Sequence, residues 1–387
     1  MGRAFSDDQQ MFRAEFRKFV EQEVAPHMPR YREEGIVDRE IYRKAGEAGF
    51  LLIWADPQFG GVGDSDFRFE QIIMEEVARA DCGEWFPTLH SRMVGPYLKR
   101  FGSVEQQQRF LPGCVKGETI LAVAMTEPAA GSDLSGMRTL LVDKGGHYVL
   151  NGSKTYISNG INADLAIVAA KNGNVEDRHD IALVCVERGM GGFRRGRNRD
   201  KMGLVAQDTA ELFFDDVKIP KENVLGDPSA GFRYLMQGLV EERLIGSVSY
   251  MCNAHRAFDL TRSYVLERKA FGRRLADMQN TQFKLAELHA QLQAMQCYLD
   301  SCVARHNAGE LTAEEAAGLK LVTSELEWRV VDEGVQLHGG AGYMREYEIC
   351  RRFTDARINR ILAGASEIMK TIIGRHLLSD RYTPFLQ

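Results

Sequence analysis

Hydrophobic residues recur at steps of three and four at the start of the chain. In a helix they would form one buried face made of Phe12, Phe16, Phe19, Val20 and Val24. The same spacing returns in three later stretches, at residues 42–48, 69–80 and 104–111. Breaks that contain glycine and proline separate these stretches. The pattern predicts a helical domain over residues 1–120.

The hydrophobic pattern then changes to short runs that alternate or are rich in β-branched residues. The clearest of these runs are residues 147–150, 165–168, 181–186 and 211–214. Asn-Gly pairs, which favour tight turns, occur at 151–152, 159–160 and 172–173. We predict a middle domain over residues 121–228, built on a small antiparallel sheet that resembles a barrel.

Long helical patterns resume after Gly231 and cover residues 232–268, 281–307 and 313–337. Two capping boxes mark helix starts, and they pair Ser6 with Gln9 and Thr312 with Glu315. Helices of this length are typical of a bundle. We predict a C-terminal four-helix-bundle domain over residues 229–387. The fold class is therefore α+β, with two helical domains flanking a β domain.

Composition and charge limit the possible classes of function. The chain has 387 residues, of which 44% are hydrophobic and 27% charged, as in a folded globular protein. A formal net charge of −5 gives no general basic field to hold a nucleic acid. No apolar run approaches the roughly 18 residues that span a bilayer, and the start lacks the order of a secretory signal. We expect a soluble, unexported protein without a nucleic-acid partner or a membrane span.

Cysteine, histidine and glycine patterns argue against a metal and against a nicotinamide. The seven cysteines include no C-x-x-C pair, and the histidines are spread singly. We expect buried thiols in a reducing compartment and no bound metal. The run from Gly339 to Gly342 follows a helical stretch and lacks the G-x-G-x-x-G spacing. It therefore does not predict a dinucleotide loop.

Two polar turns in the middle domain are candidates for ligand binding. Residues 125–133 read Met-Thr-Glu-Pro-Ala-Ala-Gly-Ser-Asp and lie where the strand pattern begins. Small residues and hydroxyls there let the backbone approach a flat or phosphorylated ligand. Residues 156–160 place a hydroxyl beside an aromatic ring. Composition alone is equally consistent with ordinary polar turns.

Four segments, in order and spread over nearly the whole chain, resemble the motifs of the acyl-CoA dehydrogenase family. They are residues 125–133, 156–160, 267–282 and 336–368. Residues 201–214 are most similar to the long-chain type. The resemblance implies FAD-dependent desaturation of a fatty acyl-CoA to a trans-2-enoyl-CoA. In that reaction a carboxylate takes the α-proton and flavin N5 takes a hydride from the β-carbon.

The resemblance also implies which residues contact FAD. Thr126 would bond the isoalloxazine ring, Tyr156 would stack beside it, and Ser158 would face its reactive nitrogen. Arg268, Gln279 and residues 336–340 would reach the FAD of a neighbouring subunit. The implied set is Val123, Met125, Thr126, Gly131, Ser132, Tyr156, Ile157, Ser158, Arg268, Phe271, Gln279, Gln336, Leu337, Gly339, Gly340, Ala365 and Glu367.

The catalytic base is where this chain departs from many relatives. They carry a Tyr-Glu-Gly segment near the C-terminus, whereas this chain has Leu362-Ala363-Gly364. Long-chain and isovaleryl-type members instead place a Glu before an Arg at the start of a helix. This chain has Glu242-Arg243 at that point, which predicts Glu242 as the base. The implied substrate contacts are Ser132, Arg243, Ala363 and Gly364. The alternative is a solvated charged turn at residues 241–243.

Several functional points stay open at this stage. Ala365 stands where relatives usually have a Thr that contacts FAD, so one hydrogen bond of about 0.5–1.5 kcal/mol is missing. The resemblance implies an electron-transfer flavoprotein as partner and a homotetramer built as a dimer of dimers. It also implies a bacterial cytoplasmic or mitochondrial matrix location. An acyl-CoA oxidase and a non-catalytic scaffold that binds flavin or acyl-CoA are the alternatives. Chain length and branching of the acyl group stay open.

Overall fold

The structure is a computed structural model and describes residues 5–173, 180–380 and 382. Its N-terminal region is helical, as predicted. The helices are α1 (Asp7–Phe19), α2 (Met28–Glu34), α3 (Arg39–Glu47), α4 (Phe67–Arg79), α5 (Gly95–Phe101) and α6 (Val104–Val115). The predicted capping box opens α1, because Ser6 accepts from the Gln9 backbone and the Gln9 side chain accepts from Ser6 N.

The predicted buried face of the first helix is confirmed in part. Phe16, Val20 and Val24 are fully buried, whereas Phe12 and Phe19 are half-buried at the margin of the same cluster. Phe16 packs edge-on against Phe50, with ring centroids 5.0 Å apart. This aromatic cluster fixes α1 against the rest of the N-terminal domain.

The middle domain is one curled seven-stranded sheet. Its strands are β1 (Leu121–Ala124), β2 (Leu140–Asp143), β3 (His147–Ser158), β4 (Leu165–Asn172), β5 (Ile181–Glu187), β6 (Phe193–Arg195) and β7 (Thr209–Pro220). The hydrogen-bonded order is β1-β4-β2-β3-β7-β6, with β5 also pairing β4. All four predicted hydrophobic runs lie in strands.

The prediction of a purely antiparallel sheet is wrong at two pairings. Strand β4 runs parallel to β1 along its first half and parallel to β2 at its end. Strands β1 and β2 thus act as one interrupted strand beside β4, and the loop between them carries residues 125–139. Strand β3 runs opposite to β2, and the turn after β3 reverses the chain again. Strand β4 therefore runs in the same direction as β2. Alternation of side chains fixes which face is buried but not the direction of the neighbouring strand.

The C-terminal domain contains three long helices and two shorter ones. They are α7 (Gly231–Glu267), α8 (Gln279–Asn307), α9 (Ala313–His338), α10 (Glu348–Ala356) and α11 (Ser366–Leu377). A hairpin of β8 (Lys269–Ala270) and β9 (Arg273–Arg274) joins α7 to α8. The Thr312–Glu315 capping box is confirmed at the start of α9. Helices α7, α8 and α9 pack on one another and α11 packs on α9, while the four-helix-bundle arrangement stays a prediction.

Helix α7 touches all three domains and therefore controls how they meet. It packs on α4 and α5 of the N-terminal domain, on β5 of the middle domain, and on α8, α9 and α10. At its first residue, Gly231, a side-chain carbon would lie 2.3 Å from the carbonyl oxygen of Ile181. Only glycine allows the helix to begin this close to the sheet.

No helix among the described residues combines the length and apolarity needed to cross a bilayer. Within the same residues, no three His, Cys, Asp or Glu side chains cluster in a way that could hold a metal ion. The seven cysteines are free thiols, and Cys82, Cys114, Cys185 and Cys302 are buried.

The contact at Gly231 gives a stability prediction. We expect Gly231→Ala to lower the free energy of unfolding by about 1–3 kcal/mol, because the new methyl group meets a fixed carbonyl. Gly374→Ala is the matched control, since nothing lies within 4 Å of a side-chain carbon there in α11. The control should stabilise slightly through helix propensity. Thermal unfolding compares the two, and equal behaviour would contradict the proposed close approach.

Candidate active site

Glu242 lies within α7, about three turns from its N-terminal end rather than at the start of the helix, because the helix already begins at Gly231. Its side chain is buried, with 5% of the residue exposed. The Tyr97 hydroxyl donates to its Oε1 at 3.4 Å. Glu241 and Arg243 are buried as well. Residues 241–243 are therefore a buried helical segment and not a solvated turn.

The two adjacent carboxyl groups have different surroundings. Arg92 Nε donates to Glu241 Oε1 at 2.5 Å, and Arg100 pairs with the other oxygen. His306 approaches the same carboxylate at 3.4 Å. Both arginines come from the N-terminal domain and His306 comes from α8, whereas the described residues offer Glu242 no such pair of arginines.

The surroundings move the two pKa values apart. Burial raises the pKa of Glu241, but the hydrogen bond from His306 and the charges of Arg92 and Arg100 outweigh it and lower that pKa to about 2. Burial raises the pKa of Glu242 to about 7, against the opposing hydrogen bond from Tyr97. Glu241 is thus a permanent anion, and Glu242 can exchange a proton near neutral pH.

A buried lysine holds the turn at residues 362–364, and Arg243 is a charged neighbour of that lysine. Lys320 Nζ donates to the Gly364 carbonyl oxygen at 2.8 Å, and burial together with the charge of Arg243 lowers the pKa of Lys320 to about 8. Arg243 Nε is buried and has no hydrogen-bond partner within the described part of the chain. Ala363 and Gly364 both have left-handed backbone, with φ of 52° and 94°. Lys320 on α9 therefore fixes this turn, which itself contains no Asp or Glu.

The predicted flavin loop is fixed by an ion pair that was not predicted. Glu127 accepts from the backbone of Arg138 at 2.6 Å and of Thr139 at 3.0 Å, which closes the loop between β1 and β2. Lys154 of β3 donates to Glu127 at 2.8 Å and to the Met125 carbonyl at 3.0 Å. Both side chains are buried. The sequence did contain a signal for this ion pair. Lys154 falls on the same face of its strand as Leu150, which is buried, so a buried charge was to be expected there.

The structure brings the two predicted flavin segments together. Thr155 N donates to the Thr126 carbonyl oxygen at 2.9 Å, which joins the loop to the end of β3. Tyr156 has a left-handed backbone with φ of 60° and is 70% exposed. Ile157 beside it is buried and Ser158 is half-buried. Val123, Met125 and Thr126 are half-buried, whereas Gly131 and Ser132 are exposed in the loop.

A second group of predicted FAD residues lies far from Glu242 along the same chain. Arg268 follows α7, and the part of α7 between Glu242 and Glu267 spans roughly 38 Å. Phe271 forms the turn of the β8–β9 hairpin and is 97% exposed. The other residues of this group lie at helix ends. Gln279 is the first residue of α8. The last turn of α9 contains Gln336 and Leu337, and Gly339 and Gly340 follow its last residue. One copy of the chain therefore presents two separate groups.

Ala365 is the N-cap residue of α11 and gives the helix no side-chain hydrogen bond. A hydroxyl-bearing residue is the usual choice at this position. Glu367 follows in the first turn and is exposed. The start of α11 therefore has backbone N–H groups available for an anion or a ring oxygen.

Three family models match successive parts of the chain. Models of the N-terminal, middle and C-terminal domains of acyl-CoA dehydrogenases match residues 6–118, 122–217 and 229–378. This chain belongs to the acyl-CoA dehydrogenase family. The mitochondrial long-chain specific acyl-CoA dehydrogenase of Mus musculus is 44% identical over 98% of this chain and 88% of its own length. A crystal structure of an acyl-CoA dehydrogenase from Geobacillus kaustophilus is 44% identical, with a TM-score of 0.95 over 98% of this chain and 100% of that one.

Members of the acyl-CoA dehydrogenase family are FAD-dependent oxidoreductases that act on CH–CH donors, and FAD is the cofactor. A glutaryl-CoA dehydrogenase from Mycobacterium smegmatis, 25% identical with a TM-score of 0.89 over 98% of this chain and 97% of that one, was solved with FADH2. The residues present fit such a group. An exposed aromatic ring at Tyr156 lies beside the loop, and the N-terminus of α11 is uncapped.

The Glu127–Lys154 pair predicts that the loop and the cofactor depend on one buried cation. We expect Lys154→Met to lower stability by about 3–5 kcal/mol and to reduce FAD content, because the Glu127 carboxylate would lose its partner. Lys221→Met is the control, since its pair with Asp143 is exposed to solvent, so losing it should change stability far less. Thermal unfolding and the ratio of flavin to protein absorbance measure both variants. A Lys154→Met protein with normal stability and flavin would contradict this role.

The two carboxyl groups of α7 predict opposite pH effects on stability. The raised pKa of Glu242 means that stability falls as pH rises from about 4.5 to about 7. Glu242→Gln should therefore stabilise the protein at pH 8 by about 3 kcal/mol. Glu241→Gln should destabilise by a similar amount at the same pH, because the carboxylate that pairs with Arg92 is lost. Unfolding curves between pH 5 and 8 measure both, and shifts of the same sign would refute the assignment.

Proposed function

We propose that this chain desaturates a fatty acyl-CoA between its α and β carbons and that Glu242 is the base. The observation that carries the proposal is the Glu242 carboxyl, which is buried on α7 against the Tyr97 hydroxyl and next to the arginine-paired Glu241, so that burial raises its pKa to about 7. A base for an acidified C–H bond works best when its pKa lies near the operating pH. Ala363 supports the choice, because the turn at 362–364 offers no competing acid.

The chain's own residues supply the proton chemistry. Glu242 accepts the α-proton at a carboxylate oxygen, in a site whose burial excludes water. Arg243 places a buried positive charge beside the base and lowers the pKa of Glu242 against the effect of burial. We propose that Ser132, Arg243, Ala363 and Gly364 contact the substrate, with Ser132 on the pantetheine. The bound flavin supplies the acceptor for the β-hydride.

We propose that FAD lies between subunits of a homotetramer arranged as a dimer of dimers. The loop at 123–132 and residues 156–158 would hold the flavin ring from one chain. Arg268, Gln279 and residues 336–340 would hold the rest from a neighbour. The separation of roughly 38 Å along α7 and the exposure of Phe271 support this division. An Arg fork with glycine-opened backbone suits a pyrophosphate.

The 44% identity to a long-chain enzyme supports a long-chain acyl group as substrate. We propose that the electrons leave to an electron-transfer flavoprotein, in a mitochondrial matrix or a bacterial cytoplasm. An acyl-CoA oxidase differs only in passing electrons to oxygen. The missing acid at 363 and the missing hydroxyl at 365 keep a non-catalytic scaffold as the second candidate.

Anaerobic titration with acyl-CoAs of increasing chain length tests the proposal. We expect flavin absorbance of the purified holoenzyme to bleach, fastest with long chains. Glu242→Gln should slow bleaching by about 10²–10⁴-fold, because the proton acceptor is lost. Its flavin content should match that of the wild type, which serves as the control for folding.

Three outcomes separate the alternatives. Equal bleaching rates before and after Glu242→Gln would show that Glu242 is not the base. A flavin-loaded wild type that no thioester reduces would favour the non-catalytic scaffold. Stoichiometric peroxide release in air, at the rate of turnover, would identify an oxidase.

A further inference from the structure

We propose that Tyr97 is a positioning residue, whose hydroxyl holds the Glu242 carboxyl in place for proton abstraction. The inference rests on the proposed role of Glu242 as base. It concerns a side chain from the N-terminal domain that approaches α7 from α5, so the base is positioned by an element on which it does not lie.

The contact is buried on both sides. Tyr97 is 2% exposed, and its Oη lies 3.4 Å from Glu242 Oε1. In residues 5–173, 180–380 and 382, no other side chain or backbone group donates a hydrogen bond to the Glu242 carboxyl. A separation of 3.4 Å is longer than the usual 2.7–2.8 Å for a hydroxyl donor. The carboxyl group is thus restrained in direction yet free to move toward a substrate, and catalytic contacts often shorten only when the substrate binds.

Gly238 makes this contact possible. It lies one helical turn before Glu242 on α7, on the same face. A side-chain carbon at 238 would lie 2.2 Å from Tyr97 Oη and 2.7 Å from Cζ. Glycine inside a helix costs about 1 kcal/mol relative to alanine. Space for the phenol group next to the base is the physical reason for a glycine at this point.

Tyr97 acts as the donor in this bond. Burial raises the pKa of Tyr97, and the charge of Glu242 raises it further, so the phenol keeps its proton at neutral pH. A donated hydrogen bond favours the ionised carboxylate, which is the form that can accept a proton. The other charged groups that face the pair are Glu241 and Arg243 on α7 and Arg100 on α5. Arg243 favours ionisation of Glu242, and Glu241 opposes it.

The same row of aromatic side chains provides a matched control. Tyr97 packs near Phe101, with ring centroids 6.0 Å apart, and Phe101 stacks on Tyr234 at 4.0 Å. The Tyr234 hydroxyl accepts from Asp227 N at 3.1 Å and so faces away from the base. Tyr234→Phe removes a phenol hydroxyl from this row without removing one from Glu242.

The experiment compares pH profiles of kcat/KM for a long-chain acyl-CoA, using holoenzymes between pH 5.5 and 9. We expect Tyr97→Phe to move the acid limb to higher pH and to lower kcat/KM at pH 6 by about two- to tenfold. KM should change little. Gly238→Ala should move the limb in the same direction, since it displaces the hydroxyl. Tyr234→Phe should keep the wild-type limb.

Infrared difference spectra give a readout that does not depend on turnover. The band of the protonated Glu242 carboxyl, identified by its absence in Glu242→Gln, should persist to higher pH in Tyr97→Phe. If Glu242→Gln is inactive while Tyr97→Phe and Gly238→Ala keep the wild-type limb and band, the positioning role is refuted and the proposed function stands. If Glu242→Gln turns over normally, the proposed function fails and this inference fails with it.

Discussion

Two neighbouring carboxyl groups on α7, those of Glu241 and Glu242, are buried, and only Glu241 forms ion pairs with arginines. The rest of the site depends on this asymmetry. Arg92 and Arg100 come from the N-terminal domain, so their charges keep Glu241 ionised where that domain packs on α7, and His306 of α8 contacts the same carboxylate. Glu242 faces Tyr97 instead and keeps a pKa near neutrality. Domain assembly therefore sets the protonation chemistry.

In the middle domain, a buried ion pair holds the polar loop at residues 125–139 in place. Glu127 and Lys154 fasten the backbone at 125 and at 138–139 from within. The exposed side of the same loop is left to small residues and hydroxyls. A flat ligand bound there would meet a surface whose shape is fixed by the buried Glu127–Lys154 pair.

Helix and strand positions could be read from periodicity because burial of one face leaves a local pattern, as in residues 313–337, which became α9. The parallel pairing of β4 could not be predicted in this way, because buried and exposed side chains alternate in the same manner in parallel and antiparallel strands. Glu242 was proposed as the base through resemblance and through the absence of an acid at 363. The contacts of Tyr97 and Lys154 were not predicted. Their partners lie far along the chain or in a loop, and the spacing of residues in the sequence does not reveal such contacts.

The unpaired Nε–H group of Arg243 has a thermodynamic consequence. Its Nε–H lost its hydration shell when the chain folded and gained no acceptor among the described residues in return. A carbonyl oxygen of a ligand that reached this N–H would satisfy a donor that folding left unpaired, and this would favour association. The unpaired donor costs the folded state part of its stability, and a ligand that paired with it would recover that cost on binding. A site of this kind is preorganised by dehydration as well as by shape.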